Sequence, residues 1–287
     1  MSAGALADTY VLGMKGPGAG NPFWAAVEAG AVEKGKELGV EVVVLAPPAE
    51  SDVQSQIAQI EDQIAKGVTG IALAPTDPNA LEPLVDAAQA AGIPVVFVDT
   101  RGSNEGVTFI GTDNEAGAEL AADFICSNIE QGSEVAILQG IITQSTGQAR
   151  AAGAKAGLEG CGLKIVAEQP ADWDRAKGQA VTENIITGNP NIKAIFASND
   201  NMALGAVEAL KSAAKLQDVM VVGFDANPDA AASILAGEMT ASVAQSPTNM
   251  GALGIEALTK LKAGETLEAW IDTGTVLVTK ENAEDFR

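Results

Sequence analysis

The chain has 287 residues, with Lys plus Arg at 17, Asp plus Glu at 38, a formal net charge of −21 and no histidine. That length allows two domains with large buried interiors, and so acidic a balance repels phosphate backbones, which argues against nucleic-acid binding. The absence of imidazole excludes Ser-His-Asp and Cys-His nucleophiles, histidine-ligated zinc and histidine proton relays.

Met1 to Thr9 (MSAGALADT) carries neither the basic flank nor the apolar stretch of an export signal, so the chain reads as cytosolic or as a mature form. Tyr10 to Met14 is the first predicted strand. A glycine-rich turn, Gly16-Pro17-Gly18-Ala19-Gly20, leads from it into a helix over Phe23 to Leu38. Strands at Glu41 to Leu45, Gly70 to Ala74 and Pro94 to Val98 alternate with helices over Val53 to Ala65 and Ala80 to Ala91. The polar segment Arg101 to Gly106 breaks this rhythm, and Val107 to Ile110 reads as a strand crossing to a second lobe. Beyond it come strands at Glu134 to Gln139, Lys164 to Glu168, Ile192 to Ala197, Val219 to Phe224 and Thr240 to Ala244. Their helices are Ala116 to Ile129, Arg175 to Thr187, Met202 to Ala214 and Asn249 to Leu261, with apolar residues three and four apart.

Runs such as Val42-Val43-Val44-Leu45 are apolar throughout, as strands covered by helices on both faces require. About nine βα units exceed one open sheet, so the expected fold is α/β with two doubly wound parallel-sheet lobes, a TIM barrel being the competing layout. No apolar run approaches the ~18–20 residues of a membrane span. Cys126 and Cys161 are compatible with one disulfide or with two buried thiols, and their spacing matches no metal motif.

In open α/β sheets ligands bind beyond the carboxyl ends of strands. At those positions stand Lys15, Asn21, Phe23 and Trp24, then Asp99-Thr100-Arg101, Asp172-Trp173-Asp174, Asn199-Asp200-Asn201, Phe224-Asp225 and Gln245. Aromatics are only 4% of the chain, yet Phe23, Trp24, Trp173 and Phe224 all fall there. Rings that stack on C–H faces, with carboxylates, amides and guanidinium groups that take neighbouring hydroxyls in pairs, suit a polyhydroxylated ligand. Each residue also has a plainer reading: Phe23 and Trp24 as core, Asn199 and Asp200 as helix caps, Asp99 as a turn residue. A dinucleotide site fails, because Asn21 occupies the third glycine position and Leu45-Ala46-Pro47 lacks an acidic residue for a ribose hydroxyl. Asp99 and Asp225 are candidate carboxylates for a glycosidase, the enzyme reading that remains.

The stretches Asn21-Pro22-Phe23-Trp24, Gln169 to Arg175 (QPADWDR), Ser198 to Gly205 (SNDNMALG), Val222-Gly223-Phe224-Asp225 and Val243-Ala244-Gln245 resemble the periplasmic solute-binding proteins of sugar ABC transporters, in the ribose- and allose-binding subgroup. The resemblance runs over nearly the whole chain. It implies the type I periplasmic binding protein fold, with lobes at 1–112 plus 246–272 and 113–245 plus 273–287 joined by three crossings. These would fall near Thr112-Asp113, Gln245-Ser246 and Asp272-Thr273. It further implies that Asn21, Asp99, Arg150, Asn199, Asp225 and Gln245 hydrogen-bond a sugar, that Phe23 or Trp24 and Trp173 sandwich its ring, and that Phe224 lines the pocket. Lys15 looks like the lysine of allose-type members. Ala74 and Thr100 stand where ribose-type members have Asn and Arg, so the pattern does not single out ribose.

By the same resemblance the protein is a periplasmic or extracellular membrane-associated monomer. It captures a monosaccharide or a sugar alcohol such as xylitol by hinge closure and passes it to a permease, with a chemoreceptor as a further partner. No catalytic residue, cofactor or metal is expected. The alternatives are the effector core of a sugar-responsive repressor and a carbohydrate-active enzyme.

Overall fold

The computed structural model describes residues 8–287, so residues 1–7 of the N-terminal stretch read above lie outside the described residues. The apolar runs fold as β1 (Thr9–Gly13), β2 (Glu41–Leu45), β3 (Gly70–Leu73), β4 (Val95–Val98), β5 (Phe109–Gly111), β6 (Glu134–Gln139), β7 (Lys164–Pro170), β8 (Ala194–Ala197), β9 (Met220–Asp225) and β10 (Ala241–Ala244). Two further strands, β11 (Trp270–Asp272) and β12 (Val276–Val278), follow. The helices are α1 (Pro22–Leu38), α2 (Val53–Lys66), α3 (Pro78–Ala90), α4 (Asn114–Asn128), α5 (Ser145–Gly160), α6 (Arg175–Gly188), α7 (Asp200–Ser212), α8 (Pro228–Leu235) and α9 (Pro247–Lys262).

Local chemistry sets where the helices begin. Asn21, Asp52, Asp77, Asp113, Asp174 and Asn199 each cap a helix with a side-chain oxygen that accepts a backbone N–H of the first turn. Proline opens α1, α3, α8 and α9, where a missing N–H costs nothing.

The chain divides into two compact units, one running to Gly111 and resuming over Ser246–Thr273, the other comprising Thr112–Gln245 and Gly274–Arg287. The first unit holds a sheet ordered β11-β5-β4-β3-β1-β2, parallel at every pairing. The second holds β12-β10-β9-β8-β6-β7, parallel except for β12 on its edge. Two separate open sheets rule out the closed barrel. In the first unit Tyr10 and Leu12 of β1 pack with α1 and α9 on one face, while Val11 points to α2 and α3 on the other. In the second, Ile137 packs with α4 and α5, and Leu138 with α6 and α7. This double coverage is why the strands are apolar at consecutive positions. Each sheet reverses its winding beside its first strand, between β1 and β3 and between β6 and β8, which is where doubly wound sheets open a crevice.

Cys126 and Cys161 form a disulfide, with Cα atoms 6.2 Å apart, which settles the choice the sequence left open. Among the described residues no helix is long and apolar enough to cross a membrane.

Candidate functional site

In the first unit the groups collect at the carboxyl ends of β1, β2 and β4. Buried Gln56 of α2 organises this end of the sheet: its Nε2 donates to the carbonyls of Met14 (3.0 Å) and Ala74 (2.8 Å), and its Oε1 accepts from the N–H and hydroxyl of Thr76. One amide thereby ties the segments leaving β1 and β3 together and fixes where Lys15 projects. Lys15 Nζ lies 3.2 Å from Asp99 Oδ2 and 3.7 Å from Glu50 Oε2, with the Trp24 ring centroid at 5.7 Å. Lys15 is 3% exposed, a burial its charge tolerates only because carboxylates face it. Glu50 Oε1 accepts from Trp24 Nε1 at 2.8 Å and from Asn21 Nδ2 at 3.4 Å. Asn21 Oδ1 meanwhile accepts the Phe23 N–H, and the rings of Phe23 and Trp24 meet edge to face at 5.2 Å. Asp99 sits in the left-handed region at φ 60° and accepts from the Thr100 hydroxyl at 2.6 Å. Such a backbone outlier outside glycine marks a side chain held by its surroundings.

In the second unit Arg150 of α5 is the centre. Its Nε donates to Asn114 Oδ1 at 2.7 Å, and its NH1 donates to the Ser198 carbonyl at 2.8 Å and lies 3.4 Å from Asp225 Oδ1. The guanidinium plane stacks 3.9 Å from the Phe224 centroid and lies 5.6 Å from that of Trp173. Gln245 Nε2 donates to Asp225 Oδ1 at 2.6 Å, and Gln245 Oε1 accepts from the Thr112 hydroxyl at 2.7 Å. Trp173, at φ 65°, donates its Nε1 to Gln144 Oε1 at 2.8 Å. A Cβ on Gly140 would lie 2.1 Å from the Trp173 ring, so glycine there is what admits the indole. Behind Asp225, Asp200 is fully buried. Burial first, and then the Asp225 charge, push its carboxyl well above the usual range, against the pull of hydrogen bonds from Ser242 and the Asn227 N–H and of the Arg150 charge.

Lys15, Asn21, Phe23, Trp24 and Asp99 thus share one cluster in the first unit, and Arg150, Trp173, Asn199, Phe224, Asp225 and Gln245 share another in the second. Asn199 fills the cap role that was its plainer reading, Oδ1 accepting the Met202 N–H at 2.9 Å, while its Nδ2 lies 3.4 Å from the Trp173 carbonyl. Sequence reasoning missed Glu50, Gln56, Thr112, Asn114, Gln144 and Ser198. Glu50 stands five residues beyond its strand, among loop residues with no periodicity to mark it. The first cluster holds more carboxylates than cations, Glu50 and Asp99 against Lys15, while in the second Asp225 faces Arg150 one to one and burial favours the neutral form of Asp200. Together with their rings the two clusters can exchange paired hydrogen bonds with hydroxyls and pack against C–H faces, and the first opposes an anionic ligand.

A family model described as a periplasmic binding protein domain matches residues 12–266. The chain is 36% identical over 274 residues to the ribose import binding protein of Bacillus subtilis, covering 95% of this chain and 88% of that one. It is 40% identical over 248 residues to the D-allose-binding periplasmic protein of Escherichia coli, covering 83% and 80%. Among solved structures, an ABC transporter periplasmic solute binding protein from Actinobacillus succinogenes with bound D-allose is similar at a TM-score of 0.91 and 32% identity, covering 97% of this chain and all of that one.

Proposed function

We infer that this chain, which belongs to the periplasmic binding protein domain family, captures a neutral monosaccharide of the ribose and allose class, or a related sugar alcohol, and delivers it to the permease of an ABC importer. The observation that carries the reading is the make-up of the two clusters: indole and phenyl rings beside Lys15, Asp99, Asp225 and Gln245 at strand carboxyl ends, with Arg150 reaching in from α5. Asn21, Asn199 and the Trp173 ring complete the proposed contact set. The protein acts as a carrier and performs no chemistry, works outside the cytoplasm as a monomer, and has a chemoreceptor as a second membrane partner. The Cys126–Cys161 disulfide supports an oxidising compartment. Capture by hinge closure belongs to this reading through the family resemblance.

Excess carboxylate in the first cluster selects against anionic sugar derivatives. D-Allose, D-ribose, xylitol, ribose 5-phosphate and gluconate, added to refolded protein, test this by thermal shift and titration calorimetry. One of the first three should raise the melting temperature and bind at about micromolar Kd, near −8 kcal/mol, with no shift from the two anions. Silence from all neutral sugars, or tighter binding of an anion, would overturn the reading.

A further inference from the structure

Asp200 opens α7 at a helix N-terminus, where a carboxylate ordinarily serves its own helix. Its oxygens point elsewhere. Oδ1 accepts from the Ser242 hydroxyl of β10 at 2.6 Å, and Oδ2 accepts from the Asn227 N–H at 2.7 Å, while Ser242 Oγ in turn accepts from the Ala226 N–H at 3.0 Å. Ala226 and Asn227 lie in the turn leaving β9, in which Asp225 adopts φ 113° and Ala226 φ 50°. Two buried amides of a left-handed turn therefore end on one carboxylate, directly or through one hydroxyl. The strand makes room for it: a Cβ on Gly223 would lie 2.2 Å from Asp200 Oδ1. Beyond this turn Asp225 reaches Arg150 and Gln245.

We propose that Asp200 is a positioning residue which, with Ser242, clamps the Asp225–Asn227 turn and so sets how Asp225 is presented to the ligand. This rests on the reading above, in which Asp225 contacts the sugar. An unclamped turn leaves two N–H groups without partners in a dry interior and can relax only by turning Asp225 away. The clamp needs an acceptor for Asn227 and a partner for Ser242. An asparagine supplies both, through its carbonyl and its amide hydrogen.

The test uses Asp200→Ala, Asp200→Asn and Ser242→Ala in the full chain, with D-allose and D-ribose as calorimetric probes and amide hydrogen exchange of the ligand-free protein. Asp200→Ala and Ser242→Ala should each weaken sugar binding by roughly tenfold or more and speed exchange at Ala226 by a similar factor, with Asn227 following in Asp200→Ala. Asp200→Asn should recover most of both losses. Ser242→Ala removes one oxygen and decides the matter if Asp200→Ala does not fold. Unchanged exchange at Ala226 in Ser242→Ala overturns the proposal, as does faster exchange with unchanged affinity. If the wild type binds neither sugar, it is the carrier reading that fails, and exchange alone judges the clamp.

Discussion

Glu50 divides its work between two oxygens, Oε2 facing the Lys15 ammonium and Oε1 accepting from Trp24 and Asn21. Glu50→Ala would leave the buried indole N–H without its acceptor, costing about 1–3 kcal/mol of stability. It would also free Lys15 to pair with Asp99 alone, and sugar affinity should fall roughly tenfold. Glu50→Gln keeps the acceptor for Trp24, so urea unfolding should show most of the stability regained while calorimetry still shows weaker binding. Equal affinity in all three proteins would remove Glu50 from the site. Arg150 is a harsher case: its removal takes the countercharge from Asp225, which keeps Gln245, and a donor from both Asn114 Oδ1 and the Ser198 carbonyl, and Arg150→Ala should cost about 3–5 kcal/mol and abolish sugar binding. A cooperative melt without ligand response is the expected observation, and retained affinity would sink the assignment. Arg150 and Asp225 were legible because a family resemblance or a strand end pointed to them. Glu50 and Gln144 were not, since a polar residue in a loop looks the same whether it faces water or holds an indole.

Helix α5 shows why legibility varies between elements. Its buried face is Thr146, Gly147, Arg150, Ala151, Gly153 and Ala154 before Leu158, so no stripe of large apolar residues announced it. Small residues are needed there because α4 lies against it: a Cβ on Gly153 would fall 2.3 Å from the Glu115 carbonyl, and one on Gly157 2.6 Å from Ala122 Cβ. Strands β11 and β12 escaped for another reason, three residues each being too short to show an alternation. The long βα units read cleanly, since consecutive apolar residues in a strand and spacings of three and four in a helix leave few other folds. The α4–α5 pair is also where the disulfide acts, joining the last turn of α4 to the residue that follows α5, across a sequence separation of 35. Closing that loop in the unfolded chain should stabilise the second unit by about 2–4 kcal/mol. In urea, the Cys126→Ala/Cys161→Ala double variant should unfold at a lower midpoint than the oxidised protein, with sugar affinity little changed because the helix ends lie away from the strand carboxyl ends. An identical midpoint would mean the cross-link constrains nothing that unfolding releases.

At the scale of the whole molecule, a net charge of −21 makes the compact state self-repelling, and lowering the pH relieves that repulsion as carboxylates take up protons. Buried Asp200 pushes the same way. Its carboxyl is held above its ordinary value of 3.8, chiefly by burial and then by Asp225, so the folded chain binds that proton more tightly than the unfolded chain does. Its contribution is complete below 3.8 and is lost as pH rises through the elevated value. Asp52 and Glu256 have the opposite sign. Hydrogen bonds from Ser55 hold Asp52 below 3.8, and one from Lys260 holds Glu256 below 4.5, so their contributions vanish as pH falls through those depressed values. Stability should therefore rise from neutral pH into mildly acidic conditions and turn over only where Asp52 and Glu256 protonate. Melting temperatures across that range, in a single ionic strength, read the profile directly. Asp200→Asn, which cannot titrate, should lose part of the rise and keep the acid-side fall. A wild-type melting temperature that drops steadily from neutral pH downward would show that paired surface carboxylates, and neither Asp200 nor the net charge, govern how this fold responds to acid.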